Sequence, residues 1–165
     1  MNIFVLDENP RKAAEMLCDC HVRKMCVETA QILSGVMIRR EKKLLDGMPE
    51  PQNINHPVIV AASENEHYAL DWVLQYNSHL QQEYQRRFNK KHAYADLVDE
   101  YLLALWDLTD GECEHLAKCC GDLDVADMDI VSAYRKYYTE VKKPQLQAKG
   151  MWKFTKREDW TNEKN

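Results

Sequence analysis

Apolar residues recur every three or four positions through most of this chain, which predicts a mainly α fold. One stripe runs through residues 22 to 36, and a longer one consists of Ala69, Trp72, Val73, Tyr76, Leu80, Tyr84 and Phe88. We assign most of both stripes to the core. The pattern therefore predicts a single compact helical domain over residues 1–165. We expect about four to six helices and at most a short strand at residues 2–6.

The helix ends carry recognisable signals. Asn9 offers an N-cap with Pro10 at the first helical position, which predicts a helix that runs to about Gly35. Residues 39–55 are charged and contain Gly and Pro, so we expect an exposed loop there. A second helix then starts at Pro57.

Three more helices are predicted further along the chain. Ser63 and Glu66 form a candidate capping box for the helix that carries the long aromatic stripe. The remaining helices are predicted over about residues 93–108 and 127–142.

Four polar residues in the first long helix form a row beside its apolar face. His21, Lys24, Glu28 and Gln31 recur at spacings of three and four, so they share one side of the helix. Such a row is either a solvated stripe with an ordinary Lys24–Glu28 pair or a functional site. These interpretations are nearly balanced on the pattern alone. His21 favours a site, because histidine is the side chain whose ordinary pKa lies nearest neutrality.

Composition narrows the class of protein. A chain of 165 residues with 45% hydrophobic residues can bury a full core. No apolar run approaches the roughly 20 residues of a membrane span. The start lacks the basic region of a signal peptide and runs directly into Asp7. We therefore expect a cytoplasmic protein, in the host cell if the chain is phage-encoded.

The six cysteines do not predict a metal site. Cys18 and Cys20, placed two apart on a helix, would point about 200° away from each other. Cys119 and Cys120 are adjacent, and no CxxC spacing of the kind found in structural zinc sites occurs. We expect reduced and mostly buried thiols, with no metal and no cofactor.

Charge is segregated along the chain although the net value is −5. Residues 107–129 hold eight acids and one lysine, whereas residues 135–157 hold eight basic residues and one acid. Aromatic residues accompany the basic ones over 134–157, as they do near residues 84–92. Basic residues interleaved with aromatics fit phosphate contact and base stacking. For residues 86–91, cations that favour a helix C-terminus explain the pattern equally well.

Several motifs resemble known families. The runs Asn2–Asp7, Cys18–Gln31, Asn55–Pro57 and Tyr134–Tyr138 look like an uncharacterised family of small tailed-phage proteins. More remotely, the order of features resembles the pyrimidine-dimer DNA glycosylases, the endonuclease V of T-even phages. Asp19, His21 and Glu28 match that family's Asp-x-His-six-residues-Glu spacing. Arg87 and Phe88 match its Arg-aromatic helix end.

The glycosylase resemblance implies a compact helical fold and chemistry at the N-glycosidic bond, with Glu28 as the catalytic carboxylate. That family attacks the sugar with the free N-terminal amine that removal of Met1 exposes, and this removal needs a small second residue. Here the second residue is Asn2, so we expect Met1 to be retained. We expect a nucleotide pocket centred on Glu28.

Chemistry assigns roles to the candidates. Glu28 would stabilise an oxocarbenium-like sugar, His21 would act as acid or base, and Lys24 would hold a phosphate or, if desolvated, form a Schiff base. Asp7 is a further catalytic candidate, although it can equally be a solvated turn residue. The substrate-contact candidates are Gln31, Asn55, His56, Arg87, Tyr134, Arg135, Tyr138, Lys142 and Trp152, of which His56 can equally be a helix cap.

A different class of function stays open. A small acidic protein with segregated charge also fits a non-catalytic phage accessory or counter-defence protein that binds a nucleotide or a host protein. For the partner we expect a nucleotide or nucleic acid, DNA rather than RNA, and no membrane.

Overall fold

The computed structural model describes residues 2–64, 68–105, 111–147 and 152. Its helices are α1 (Pro10–Glu15), α2 (Asp19–Arg39), α3 (Pro57–Glu64), α4 (Tyr68–Phe88), α5 (Leu97–Leu105) and α6 (Ile130–Tyr137). α6 continues into a π-helical segment, Tyr138–Lys142, and then into α7, Lys143–Gln147. If this continuous run counts as one helix, the described residues form six helices and no strand. The prediction of a mainly α fold is confirmed.

The N-terminal segment does not form the short strand that the sequence allowed. Residues 3–6 lie in the core with 1% exposure or less, and no β-pairing is present among the described residues. Asn2 anchors the segment, because its side-chain amide donates to the carbonyl of Cys119 at 3.0 Å. The apolar run at the start of the chain is therefore a buried segment without regular secondary structure.

The first predicted helix is interrupted between Glu15 and Asp19. Asn9 caps α1 as predicted and accepts from two backbone amides, but Cys18 has extended backbone angles (φ −68°, ψ 161°). Its N–H donates to the Tyr138 hydroxyl at 2.9 Å, and Arg87 takes the carbonyls of Glu15 and Leu17. Side chains from distant helices thus replace the hydrogen bonds that one continuous helix would need.

α2 continues beyond the predicted end at Gly35. A Cβ at this position would lie 2.5 Å from Cδ1 of Ile59 in α3. Gly35 therefore permits close packing between α2 and α3 and does not end the helix. α2 stops at Arg39, and residues 42–56 form an irregular, mostly exposed segment with Met48 buried beneath it.

α2 and α4, each of 21 residues, form the centre of the structure. α1 and α2 both pack on α4. Trp72, Val73, Tyr76 and Leu80 are buried, as the stripe predicted, with Trp72 and Tyr76 stacked at 4.7 Å between ring centroids. Tyr84 and Phe88, at the end of the stripe, are only partly buried. The aromatic end of α4 thus emerges from the core.

Other helix boundaries differ from the predictions. Ser63 lies inside α3, where its hydroxyl donates to the carbonyl of Val60 and accepts from Arg39, so the capping-box prediction is wrong. α5 begins at Leu97, because residues 93–96 form a turn. Asp129 caps α6 by accepting from the N–H of Ser132. Within the described part of the chain, no helix is both long and apolar enough to cross a membrane.

Candidate functional site

The polar row of α2 lies at the boundary between core and solvent. His21 and Glu28 are buried, with 8% and 7% exposure, while Lys24 is exposed and Gln31 is intermediate. His21 and Glu28 are seven residues apart, so their backbones are separated by about 10 Å along the axis. The row therefore contains a buried edge of His21 and Glu28 and an outer edge of Lys24 and Gln31.

Glu28 combines burial with a cation on the same helix. Its Oε1 lies 3.3 Å from Nζ of Lys24, whose side chain is 55% exposed. One turn further along α2, the amide of Gln31 donates to the carbonyl of Glu50 at 3.3 Å. A shielded carboxylate beside an accessible ammonium is an arrangement that can act on a charged ligand.

His21 is held rigidly by aromatic neighbours. Its ring stacks on Phe4 with 4.8 Å between centroids, and its Nδ1 lies 2.8 Å from the hydroxyl of Tyr138. The same hydroxyl accepts from the N–H of Cys18. Burial raises the pKa of Tyr138 well above its ordinary value, so the phenol remains neutral. Tyr138 was predicted to contact substrate, but the structure places it inside, positioning His21.

Cys18 and Cys20 approach each other, so the prediction that their side chains point about 200° apart is wrong. Only Cys20 lies in α2, whereas Cys18 precedes the helix in an extended conformation. The two Sγ atoms are 3.3 Å apart. Together with a ring nitrogen of His21, they form a group whose donor atoms all lie within 4.8 Å of one another.

The solvent-facing side of α2 forms a strip between two aromatic borders. We define the α2 strip as Cys20, Arg23, Lys24, Val27 and Gln31, which are all exposed or partly exposed. At about 100° per residue, they span one side of the helix, with Glu28 at its edge.

The α4 border flanks the strip at Arg23. We define it as Tyr84, Phe88 and His92. The guanidinium of Arg23 lies 4.2 Å from the centre of the Phe88 ring. Tyr84 contacts both Phe88 and His92 edge to face, at 5.0 and 4.8 Å. Lys90 and Lys91 follow as exposed cations, of which Lys91 pairs with Asp96.

The π border lies on the His21 side of the strip. We define it as Tyr137, Lys142 and Trp152. Nζ of Lys142 is 5.1 Å from the centre of the Tyr137 ring, and the indole of Trp152 packs edge to face on Tyr138 at 6.0 Å. All three side chains are partly exposed. Residues 148–151 and 153–157 of the basic-aromatic stretch 134–157 lie outside the described residues.

Arg87, a predicted substrate contact, lies fully inside the protein. Its guanidinium donates to the carbonyls of Leu17 and Glu15 at 2.7 and 2.8 Å and pairs with Asp19 and Glu83 at 3.1 and 2.8 Å. It joins the end of α4 to the α1–α2 junction. We call this set of contacts the Arg87 clamp. The Arg-aromatic motif at the end of the helix drew attention to Arg87, but a sequence motif cannot show whether the side chain binds protein groups or a ligand.

Asp7, Tyr134 and Arg135 also bind protein groups. Nε of Arg135 donates to the carbonyl of Leu6 at 2.7 Å, and the guanidinium pairs with Asp7 at 3.3 Å. Asp7 also accepts from the N–H of Asn9. Tyr134 is fully buried, and its hydroxyl donates to the carbonyl of Ala117. Arg135 therefore joins α6 to the segment before α1, and Tyr134 joins it to the segment that contains Ala117.

Asn55 and His56 lie near the far end of α2. Asn55 accepts from Arg39, the last residue of α2, at 3.2 Å. Nδ1 of His56 accepts from the N–H of Val58 at the start of α3, which is the capping role considered for it. The structure thus brings His21, Lys24, Glu28 and Gln31 together on one helix but places Asn55 and His56 away from His21.

Comparison with known families and proteins gives one match. The model of the family described as pyrimidine dimer DNA glycosylase matches residues 1–96, more than half of the 165-residue chain. No significant match was found among curated proteins or among solved structures. The matched region includes α1 to α4 and therefore Glu28 and the α2 strip.

Proposed function

Because the chain belongs to the pyrimidine dimer DNA glycosylase family, we propose that it cleaves the N-glycosidic bond of a base in DNA, with Glu28 as the catalytic carboxylate. The observation that carries the proposal is the position of Glu28. It is shielded from water at the edge of an exposed helical strip and lies 3.3 Å from the Lys24 ammonium. A shielded anion stabilises a developing positive charge more strongly than a solvated one.

The proposed hydrolysis uses the Glu28 carboxylate and one water molecule. When the C1′–N bond breaks, the base keeps the electron pair and the sugar becomes oxocarbenium-like, so the Glu28 carboxylate stabilises the transition state. Water then adds its oxygen to C1′ and passes one proton to Glu28. The released base takes a proton from solvent and Glu28 returns its proton to solvent, so that the sum is simple hydrolysis.

The surroundings of Glu28 support a DNA substrate. Lys24 presents a half-exposed ammonium that can contact a phosphate beside the reacting sugar. Arg23 and the α4 border provide a cation over an aromatic ring on one side, and the π border provides Lys142 and Trp152 on the other. Partly exposed rings of this kind can stack on an unpaired base.

The buried neighbour His21 has a supporting role in this proposal. Its stacking on Phe4 and its bond to Tyr138 fix the ring. The residue helps to define the first turns of α2, from which Lys24 and Glu28 project. Proton transfer to the leaving base is then assigned to solvent and not to this ring.

The proposed activity is tested by measuring the release of bases from DNA duplexes of defined composition. The full-length chain is incubated with duplexes that each contain one modified base, including a pyrimidine dimer, and the products are identified by mass spectrometry. We expect Glu28→Gln to lower base release by about 100-fold or more, while DNA binding and the melting temperature are retained.

Glu15→Gln is the matched control, because Glu15 forms the same kind of i,i+4 pair with Arg11 at 3.2 Å. This variant should release bases at the wild-type rate. Full activity of Glu28→Gln would remove the carboxylate from the mechanism. Absence of base release by the wild-type chain on every duplex would overturn the proposed activity itself.

A further inference from the structure

Two thiols lie at the start of α2, beside the His21 ring. Sγ of Cys18 and Sγ of Cys20 are 3.3 Å apart. We propose that Cys18 and Cys20 form a redox-active dithiol, which exchanges with a low-molecular-weight disulfide of the glutathione type and closes to an intramolecular disulfide. The proposal is independent of the glycosylase chemistry, since it concerns a covalent modification of the chain itself.

The backbone geometry permits this closure. Asp19, between the two cysteines, is the first residue of α2. A helical residue separates the Cα atoms on its two sides by about 5.4 Å, near the centre of the range of about 4.4 to 6.8 Å found across disulfides. The two side chains already point toward each other. Closure therefore requires side-chain rotation and no rearrangement of α2.

The two thiols differ in access and acidity. Cys20 is partly exposed, whereas Cys18 is fully buried. A hydrogen bond from Cys18 lowers the pKa of Cys20 to about 7. The same bond, together with burial, raises the pKa of Cys18 to about 12. An accessible thiolate beside a second thiol is the arrangement of an attacking and a resolving cysteine.

The exchange is balanced in two steps. The Cys20 thiolate attacks one sulfur of the small disulfide, forms a mixed disulfide and releases one thiolate. Cys18 then loses its proton and attacks the Cys20 sulfur, which expels the second small thiolate. Two electrons pass from the dithiol to the small disulfide, and the two released thiolates take up the protons.

A metal site is the competing interpretation of the same group. Two thiolates on one tetrahedral zinc ion stand roughly 3.8 Å apart, because each Zn–S bond is about 2.3 Å. The observed separation is 3.3 Å, and Nδ1 of His21 is engaged by Tyr138. Within the described chain, the group offers three donors, whereas structural zinc sites use four. The geometry therefore favours sulfur–sulfur chemistry.

Mass spectrometry tests the proposal directly. The reduced full-length protein is incubated with oxidised glutathione, quenched in acid, alkylated and digested with trypsin. Residues 13–23 form a single tryptic peptide that contains both cysteines and no other. We expect this peptide to lose two hydrogen atoms without gaining an adduct. The number of free thiols should fall from the six of the reduced chain to four.

Single-cysteine variants distinguish the attacking role of Cys20 from the resolving role of Cys18. Cys18→Ser should retain glutathione on Cys20, since the resolving thiol is gone, and Cys20→Ser should remain unmodified in this peptide. Cys119→Ser, in the adjacent pair Cys119–Cys120, is the control and should close the disulfide as the wild-type chain does. The wild-type peptide map is decisive even if Cys18→Ser does not fold.

Three results would overturn the proposal. All six thiols could survive oxidation, or the disulfide could map to another peptide. The thiols of residues 13–23 could also react only after a chelator removes a bound metal, which would assign the group to metal binding.

Discussion

At the scale of single residues, Tyr138 binds two buried polar groups with one hydroxyl. Its oxygen lies 2.9 Å from the N–H of Cys18 and 2.8 Å from Nδ1 of His21. Tyr138→Phe preserves the ring contacts but leaves both groups without this hydrogen bond. We expect the free energy of unfolding to fall by about 1–3 kcal/mol, measured by urea denaturation.

Tyr137→Phe is the matched control for that variant. Tyr137 is the preceding residue and is partly exposed, and its ring contacts with Phe4 and Lys142 do not need the hydroxyl. Its stability should remain within about 0.5 kcal/mol of the wild type. Equal losses in the two variants would show that the Tyr138 hydroxyl does not organise the start of α2.

Sequence patterns indicate which residues are polar near the core but not which partner each one finds. The spacing of His21, Lys24 and Glu28 placed them on one side of α2, as the structure has them. The approach of Cys18 to Cys20 could not be predicted, because it depends on an extended residue before the helix. That conformation is coupled to Tyr138, which lies 120 positions away.

At the scale of elements, Arg87 joins α4 to the α1–α2 junction. Its side chain has no exposed surface, and it pairs with Glu83 and Asp19, which are also largely buried. Arg87→Met leaves both carboxylates without this cation, so we expect the unfolding free energy to fall by about 3–5 kcal/mol. Arg86→Met removes a half-exposed partner of the same Glu83 and should cost less than about 1 kcal/mol. Similar losses of unfolding free energy in the two variants would show that the buried contacts of Arg87 do not stabilise this junction.

The same contacts predict how acid affects the clamp. Burial raises the pKa of Glu83, but hydrogen bonds from Arg86 and Arg87 outweigh it and hold the pKa below its ordinary value of 4.5. A carboxyl whose pKa is lower in the folded state contributes stability above the unfolded pKa and loses it as the pH falls through the folded value. The stability difference between wild type and Arg87→Met should therefore shrink below about pH 4.5, which urea denaturation across pH can measure.

Helix periodicity predicted α2 and α4 but not the break between α1 and α2. The stripe from Trp72 to Leu80 is an intrinsic property of one segment, so the sequence reveals it. The break depends on Arg87, which donates hydrogen bonds to the carbonyls of Glu15 and Leu17 and lies about 70 residues after them in the sequence. Local capping signals carry no information about such distant donors.

At the scale of the whole molecule, the charge pattern favours contact with DNA through limited surfaces. The net charge of −5 opposes a large duplex footprint. Arg23 in the α2 strip and Lys142 in the π border nevertheless place cations beside the partly exposed rings of Phe88 and Tyr137. Arg135, a predicted substrate contact, instead binds the carbonyl of Leu6 and the carboxylate of Asp7. A local footprint around one nucleotide agrees with this distribution.

Salt dependence tests this footprint. If Arg23 and Lys142 each neutralise one phosphate, Arg23→Ser and Lys142→Ser should each reduce the slope of log affinity against log salt by about 0.9 for duplex DNA. Fluorescence anisotropy with a labelled duplex measures the slope from about 50 to 200 mM salt. Lys43→Ser, an exposed cation in the segment between α2 and α3, should leave it unchanged. If all three variants gave the wild-type slope, the two borders would have no role in phosphate binding, and any DNA contact would have to use other cations of the chain.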